Sequence, residues 1–149
     1  MAWTTKYDHW FREAAKESDL DWLALKAQAC QESSLDPLKV SPAGAVGLMQ
    51  FMPLTWGDWI PWEGAERTDP KASIFAGARY MRWLLNRLND DLTLARIAYN
   101  WGIGNLENHL QRHGALMIDL LPDEAAEYVP LIKLHYRKLR IQHSQEVQS

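Results

Sequence analysis

A single cysteine in 149 residues, Cys30, excludes an internal disulfide and a cysteine-built zinc site, so stability has to come from packing. Long apolar runs are missing too. The longest charge-free stretch, 40–57, is broken by Pro42, Pro53, Gly44, Gly47 and Gly57, which excludes a membrane-spanning helix. No excess of positive charge exists: 16 Lys and Arg face 19 Asp and Glu, giving −3 at pH 7. No global positive field would hold a phosphate backbone, and nucleic acid is not an expected partner. The opening segment MAWTTKYDHWFREAAK carries charges from Lys6 onward and lacks the apolar stretch of a secretory signal, so synthesis in a cytoplasm is expected. Glycine and proline, at 8 and 7, are ordinary, and 47% hydrophobic with 23% charged residues excludes a disordered or fibrous chain. One domain over 1–149 accounts for the length. What is abundant is tryptophan, 8 of the 16 aromatic residues, a side chain that serves as core filler or as a flat stacking platform.

Apolar spacing predicts a mainly helical fold. Tyr7, Trp10, Phe11, Ala14 and Ala15 form one stripe of a first helix. Ser18 with Asp21 reads as a capping pair for a second helix, from about Asp19 to Ser33, with Leu20, Leu23, Ala27 and Cys30 toward the core, ended by Asp36-Pro37. Residues 39–50 suit a loop-rich, β-hairpin-like element. Pro53 can start a short helix. Asp69 as cap with Pro70 just inside opens a long one, which carries Ile74, Ala78, Met81, Leu85 and Leu88 as far as Asn89-Asp90-Asp91. A shorter helix with Leu94, Ile97 and Ala98 follows, then one bracketed by Gly104 and Gly114. A last helix is opened by Pro122-Asp123-Glu124 and frays into a polar tail from about His143.

Glu32 is the residue with chemical promise. It sits at the C-terminal end of the second helix on one stripe with Trp22, Leu25 and Ala29. A carboxyl held against Trp and Leu, near helix C-terminal carbonyls, is expected to have a raised pKa and to stay protonated near neutrality. That is what protonating a poor oxygen leaving group requires, a step worth about 10²- to 10⁴-fold in rate. A solvated surface glutamate is the plain alternative.

Around Glu32 the sequence resembles a known family. Gln31-Glu32-Ser33, Pro37, Ser41-Pro-Ala-Gly-Ala-Val-Gly-Leu-Met-Gln50 and Met52-Pro53 are similar to the first signature of the Slt-type lytic transglycosylases, relatives of goose-type lysozyme. Asp69-Pro70 with Ile74, Gly77 and Tyr80 resembles the next helix. Ala98-Tyr99-Asn100 with Gly102 and Gly104 resembles the A-Y-N-x-G-x-G element, and Leu121-Pro122, Glu124 and Tyr128-Val129 the last motif. Four motifs in family order span residues 31–129. Ala125 departs from the pattern, which often has Thr there.

The resemblance implies a lysozyme-like fold, mainly α with a small β element beside the active-site cleft, and cleavage of the β-1,4 bond between N-acetylmuramic acid and N-acetylglucosamine in peptidoglycan. Protonated Glu32 would give its proton to the glycosidic oxygen. The carboxylate would then take a proton from the muramoyl C6 hydroxyl as that oxygen attacks C1, leaving a 1,6-anhydro sugar. Two-carboxylate glycosidases place a second acid about 5 to 9.5 Å away. Asp36, Asp58, Glu63 and Asp69 are available, but turn-like sequence around them reads as caps and solvated loop charges.

Ser41 and Gln50 match positions that line the family's cleft and bond sugar groups. Met52 could pack under the sugar or fill the core, and Tyr99 could orient Glu32 or be a core aromatic. Asn100 is expected to bond backbone near Gly102, and Glu124 either supports the cleft or serves as a first-turn dipole partner. Trp56, Trp59 and Trp62, in loop-rich sequence, are expected to border the cleft, and helix-spaced Trp83 to fill an interior; Trp101 is a further stacking candidate. Lys133, Arg137, Lys138 and Arg140 form a basic cluster that could touch anionic wall polymer or membrane, or be a solvated face. No cofactor and no metal is expected, since His9, His109, His113, His135 and His143 lack ligand spacing. The expected partner is the peptidoglycan glycan strand, met by a monomer without integral membrane association. Without a leader or wall-binding module, the chain resembles a bacteriophage lysis enzyme released by a holin. Rival readings are a water-using lysozyme on the same scaffold and a non-catalytic glycan-binding virion module.

Overall fold

The computed structural model describes residues 2–148, leaving out Met1 and Ser149. Its elements are α1 (Asp8–Ser18), α2 (Trp22–Ser33), α3 (Pro53–Trp59), α4 (Pro70–Arg87), α5 (Leu92–Trp101), α6 (Ile103–His113), a 3-10 turn (Ile118–Leu120) and α7 (Asp123–Gln148). The fold is mainly helical, as the periodicity predicts, and among the described residues β structure is reduced to two isolated antiparallel bridges, Val40 with Val46 and Val46 with Phe51. Two compact units form: Met1–Tyr80 with Ile132–Ser149, and Met81–Leu131.

In the first unit, the α1 stripe buries Phe11, Ala14 and Ala15 fully or nearly so. Asp19 in left-handed conformation, φ 54°, ends that helix. The capping pair expected at Ser18 and Asp21 is replaced by Asp21 alone: its Oδ1 accepts from the Leu23 and Ala24 amides at 2.9 and 3.3 Å, while Ser18 is buried as the last residue of α1. α2 therefore starts at Trp22, later than the sequence suggests. Between the two helices the Lys26 ammonium, 2% exposed, meets Asp8 at 2.6 Å; a buried lysine has to be paired in this way. Burial pushes the Cys30 thiol up to about 12, so it is an inert core group.

The second half of α7 belongs to this unit, with Ile132 and Leu139 buried. Its Gln142 exchanges two bonds with the Trp3 backbone, each 2.8 Å, Tyr136 donates to Asp21, and His143 stands edge-on to Trp22 at 5.4 Å. These contacts carry the helix through to Gln148, where a frayed tail from about His143 is expected from the polar sequence. Trp56, expected at a cleft, is instead buried against Phe51, ring centroids 5.2 Å apart, because α3 turns it inward. Trp59 stacks near Tyr80, and Trp62 is exposed beside Phe75.

In the second unit, Asp91 caps α5 through the Leu94 amide at 3.0 Å, and Ala95, Ile97 and Ala98 are buried. α6 begins at Ile103, so Gly104 lies inside the helix rather than before it, and Gly114 ends it in left-handed conformation. Trp83 is not interior: it is 38% exposed, with the Arg87 guanidinium 5.2 Å over its ring.

Gly47 sets the limit on the loop of the first unit. Its φ is +91°, and an added Cβ would overlap the Arg67 carbonyl oxygen. Gly47→Ala should therefore cost about 2 kcal/mol or more, the sum of a strained conformation and displaced backbone. Urea unfolding of the purified variant measures it, and an unchanged midpoint would show that the loop tolerates a side chain there.

Candidate functional site

Residues 39–51 cross the first unit with almost no ladder pairing, although Leu48, Met49 and Phe51 are buried. Side chains supply the missing partners. The single Ser33 hydroxyl proton is shared between the Leu48 carbonyl at 2.9 Å and the Ala29 carbonyl at 3.1 Å. Ser73 Oγ accepts the Met49 amide at 3.0 Å, and Arg67 Nη1 donates to the Gly44 and Phe51 carbonyls at 3.0 and 2.9 Å. Gly77 makes room for this arrangement, because a Cβ there would come within 2.8 Å of the Met49 side chain.

Glu32 is half-buried, one residue from the end of α2. Both neighbours are tied down. Ser33 holds the loop, and Gln31 Oε1 meets His135 Nε2 of α7 at 3.0 Å. Loss of hydration, with the nearby Lys138 charge, lowers the His135 pKa below its usual value. The imidazole is thus neutral, with Nε2–H donating to Gln31. Its Nδ1 is buried with no hydrogen-bond partner, an arrangement a second N–H would make costly.

The other expected residues of this unit are placed as follows. Ser41 Oγ accepts the Ala45 amide at 3.0 Å, and Gln50 Nε2 donates to the Lys39 and Gly47 carbonyls at 3.1 and 3.0 Å. Both polar groups thus help to shape the loop. Met52 is 41% exposed at the start of α3; the core-filling methionine is Met49. Asp36 and Asp69 are caps, Asp36 accepting the Leu38 amide at 2.9 Å and Asp69 the Lys71 and Ala72 amides at 3.1 and 3.3 Å. Asp58 and Glu63 are exposed.

In the second unit Tyr99 and Asn100 are half-buried near the end of α5. Asn100 does not bond backbone near Gly102. Its Nδ2 donates to Glu124 Oε1 at 3.1 Å, so two expected site residues meet directly, and it is Asn105 that bonds backbone there, donating to the Trp101 carbonyl at 2.7 Å. Trp101 lines an open pocket of this unit with Asn105, His109, Arg112 and Leu120. Arg67 and Ser73, which hold the loop, are not singled out by the sequence, and Gln31 and Ser33 stand in the first signature without an assigned role. For Ser73 the available signal is a polar side chain on a helix face that is otherwise apolar; Arg67, in a turn before α4, gives no such signal.

The helical framework matches solved structures of the lysozyme-like SLT fold. The 70-kDa soluble lytic transglycosylase of Escherichia coli aligns with a TM-score of 0.79 and 25% identity, over 93% of this chain and 25% of that one. The complex of the 70-kDa enzyme with bulgecin A aligns with a TM-score of 0.83 over 95% and 25%, at 24% identity. The Pseudomonas aeruginosa lytic transglycosylase Slt, solved as an inactive Glu-to-Gln mutant, aligns with a TM-score of 0.76 and 26% identity, over 93% and 25%. Residues 9–121 match the family model "Transglycosylase SLT domain", and the chain belongs to that family. Membrane-bound lytic murein transglycosylase F 1 of Alkalilimnicola ehrlichii is 43% identical over 69% of this chain and 22% of its own length. Membrane-bound lytic murein transglycosylase F of Maricaulis maris is 36% identical over 91% and 31%. The chain thus spans under a third of these curated relatives, which are bacterial proteins.

The His135 contact has a pH signature. With its pKa below the usual 6.5, folded His135 refuses a proton that the unfolded chain accepts. Its contribution to stability is full above that value, falls as pH drops through it, and levels off below the folded pKa. The urea midpoint should fall between about pH 7.5 and about pH 5.5, and by less in His135→Gln. Equal losses in both proteins would assign the slope to other groups.

Proposed function

We propose that the chain is a peptidoglycan lytic transglycosylase in which Glu32 acts first as acid and then as base. Family membership supports the reaction class. The observation that carries the assignment is the setting of Glu32, half-buried between Gln31, tied to His135, and Ser33, tied to Leu48. Anchoring both neighbours fixes the backbone from which the Glu32 side chain extends, and proton transfer needs a donor that starts from a fixed place. The mutant of the Pseudomonas enzyme, inactive with glutamine in place of one glutamate, supports a glutamate as the essential group in this family.

In the proposed reaction the Glu32 carboxyl protonates the oxygen bridging muramic acid and glucosamine, and the C1–O bond breaks. The carboxylate then accepts the C6 hydroxyl proton as that oxygen bonds to C1. The glucosamine hydroxyl leaves, the 1,6-anhydro ring closes, and Glu32 regains its proton without consuming water. Within the first unit, exposed Met52 offers the glycan an apolar contact. Mass spectrometry of muropeptides released from purified walls tests the reaction. Anhydro ends are expected. Products heavier by one water, with reducing ends, would make the enzyme a hydrolase. Glu32→Gln should lower release by at least about 10²-fold while wall binding persists; equal release by both proteins would leave only a glycan-binding module.

For its setting we infer a lysis enzyme of a bacteriophage that reaches the wall from the cytoplasm. Among the described residues no helix is long and apolar enough to cross a membrane. Expressed in bacteria, this chain should lyse cells only when a holin is co-expressed. Lysis without a holin, or none with it, would overturn this role and leave the chemistry of Glu32 untouched.

A further inference from the structure

The outward side of α7 in the first unit carries a pattern that the proposed reaction does not use. Leu134, Arg137, Lys138 and Ile141 are spaced at i, i+3, i+4 and i+7, so they share one face, and Lys133 and Arg140 extend it along one side. All six are exposed, Leu134 at 42% and Ile141 at 57%, while Ile132 and Leu139 are buried on the opposite side. Two branched apolar side chains a double turn apart are therefore presented to solvent, with Lys133, Arg137 and Arg140 along one side and Lys138 on the other. The charge is concentrated here: no Asp or Glu lies between Glu127 and Glu146, in a chain whose net charge is −3. The Arg140 stem lies along Tyr136, with the guanidinium 6.0 Å from the ring centroid. Arg12, over Trp22, adds a further cation on α1.

An apolar strip flanked by Lys and Arg on a helix held rigid from behind suits one kind of partner. The cations meet a layer of anionic headgroups while the apolar pair enters the headgroup and acyl boundary. Glycan alone would reward neither half of the pattern, and a plain polyanion would reward only the charges. We propose that this face of α7 docks the protein on an anionic phospholipid surface, lying in the interface without crossing it. Binding is then electrostatic in its long-range part and apolar in its short-range part. It leaves the Gln31, His135, Tyr136 and Gln142 contacts of the opposite side in place.

Co-sedimentation of the full chain with vesicles tests this. Binding to phosphatidylglycerol–phosphatidylethanolamine vesicles should exceed binding to phosphatidylcholine vesicles by about tenfold or more, and should weaken as salt rises. A variant with Lys133, Arg137, Lys138 and Arg140 all changed to Gln should lose that preference while keeping its circular dichroism and melting temperature. Leu134→Ser with Ile141→Ser should weaken binding several-fold at unchanged charge. Ile141→Trp serves as an independent reporter, its added emission shifting to the blue on the anionic vesicles. Equal binding to both vesicle types, or none to either, would overturn the proposal. Anionic binding that ignores the two serine changes would also overturn it, since any polyanion would then serve, as would a quadruple variant that binds like the parent.

Discussion

Buried backbone without a sheet has to find its hydrogen bonds elsewhere, and the loop at 39–51 depends on that constraint. Two isolated bridges cannot satisfy it. Ser33 from α2, Ser73 from α4 and Arg67 from the segment before α4 supply the partners, to Leu48, Met49, Gly44 and Phe51. Each lost bond at a buried group costs about 1 to 3 kcal/mol, so these contacts select one loop conformation among many. The geometry around Glu32 is a by-product of this arrangement. The hydroxyl that completes the loop belongs to the next residue, so the position of the loop and that of the acid are set by the same turn of helix.

The return of α7 to the first unit adds the second anchor. Residues 135, 136, 142 and 143 lie on the inward side of the helix and reach Gln31, Asp21, Trp3 and Trp22. The contact at Gln31 is the selective one. A neutral His135 can donate from Nε2 and leave Nδ1 bare, whereas the imidazolium would have a buried N–H with nothing to bond. Polar pairing of this kind orients a helix more strictly than the apolar contacts at Ile132 and Leu139, which tolerate sliding. The same half of α7 keeps Leu134 and Ile141 outward because its inward register is so determined.

Helix positions are legible in the sequence because spacing and punctuation are local. Asp21, Asp69 and Asp91 each cap the helix that follows, though the sequence suggests Ser18 for the second. Side-chain environment was less legible. Helical spacing marks a stripe but not what covers it, so Trp83, expected inside, lies exposed beside Arg87, and Trp56, expected at a cleft, is buried against Phe51. Asn100 and Glu124 are 24 residues apart, and Gln31 and His135 are 104 apart. No local rule connects such pairs. Gln50 shows the opposite difficulty: an amide that suits a sugar suits a tight loop equally, and the structure gives its Nε2 to backbone carbonyls.

The carboxylates of the first unit also bear on the kind of chemistry proposed. Among its described residues, three are half-buried: Asp8, Glu32 and Asp69. Asp8 neutralises buried Lys26, and Asp69 caps α4; moving either toward a substrate would leave a buried cation or an open helix end. Asp36 likewise holds a turn. A mechanism with a second, independent acid from this unit would therefore have to draw on an exposed side chain, whose charge water screens. A mechanism in which the substrate's own C6 hydroxyl is the nucleophile asks for none. It needs one carboxyl that gives a proton and takes one back at nearly the same place, the part proposed for Glu32, whose backbone is anchored on both sides.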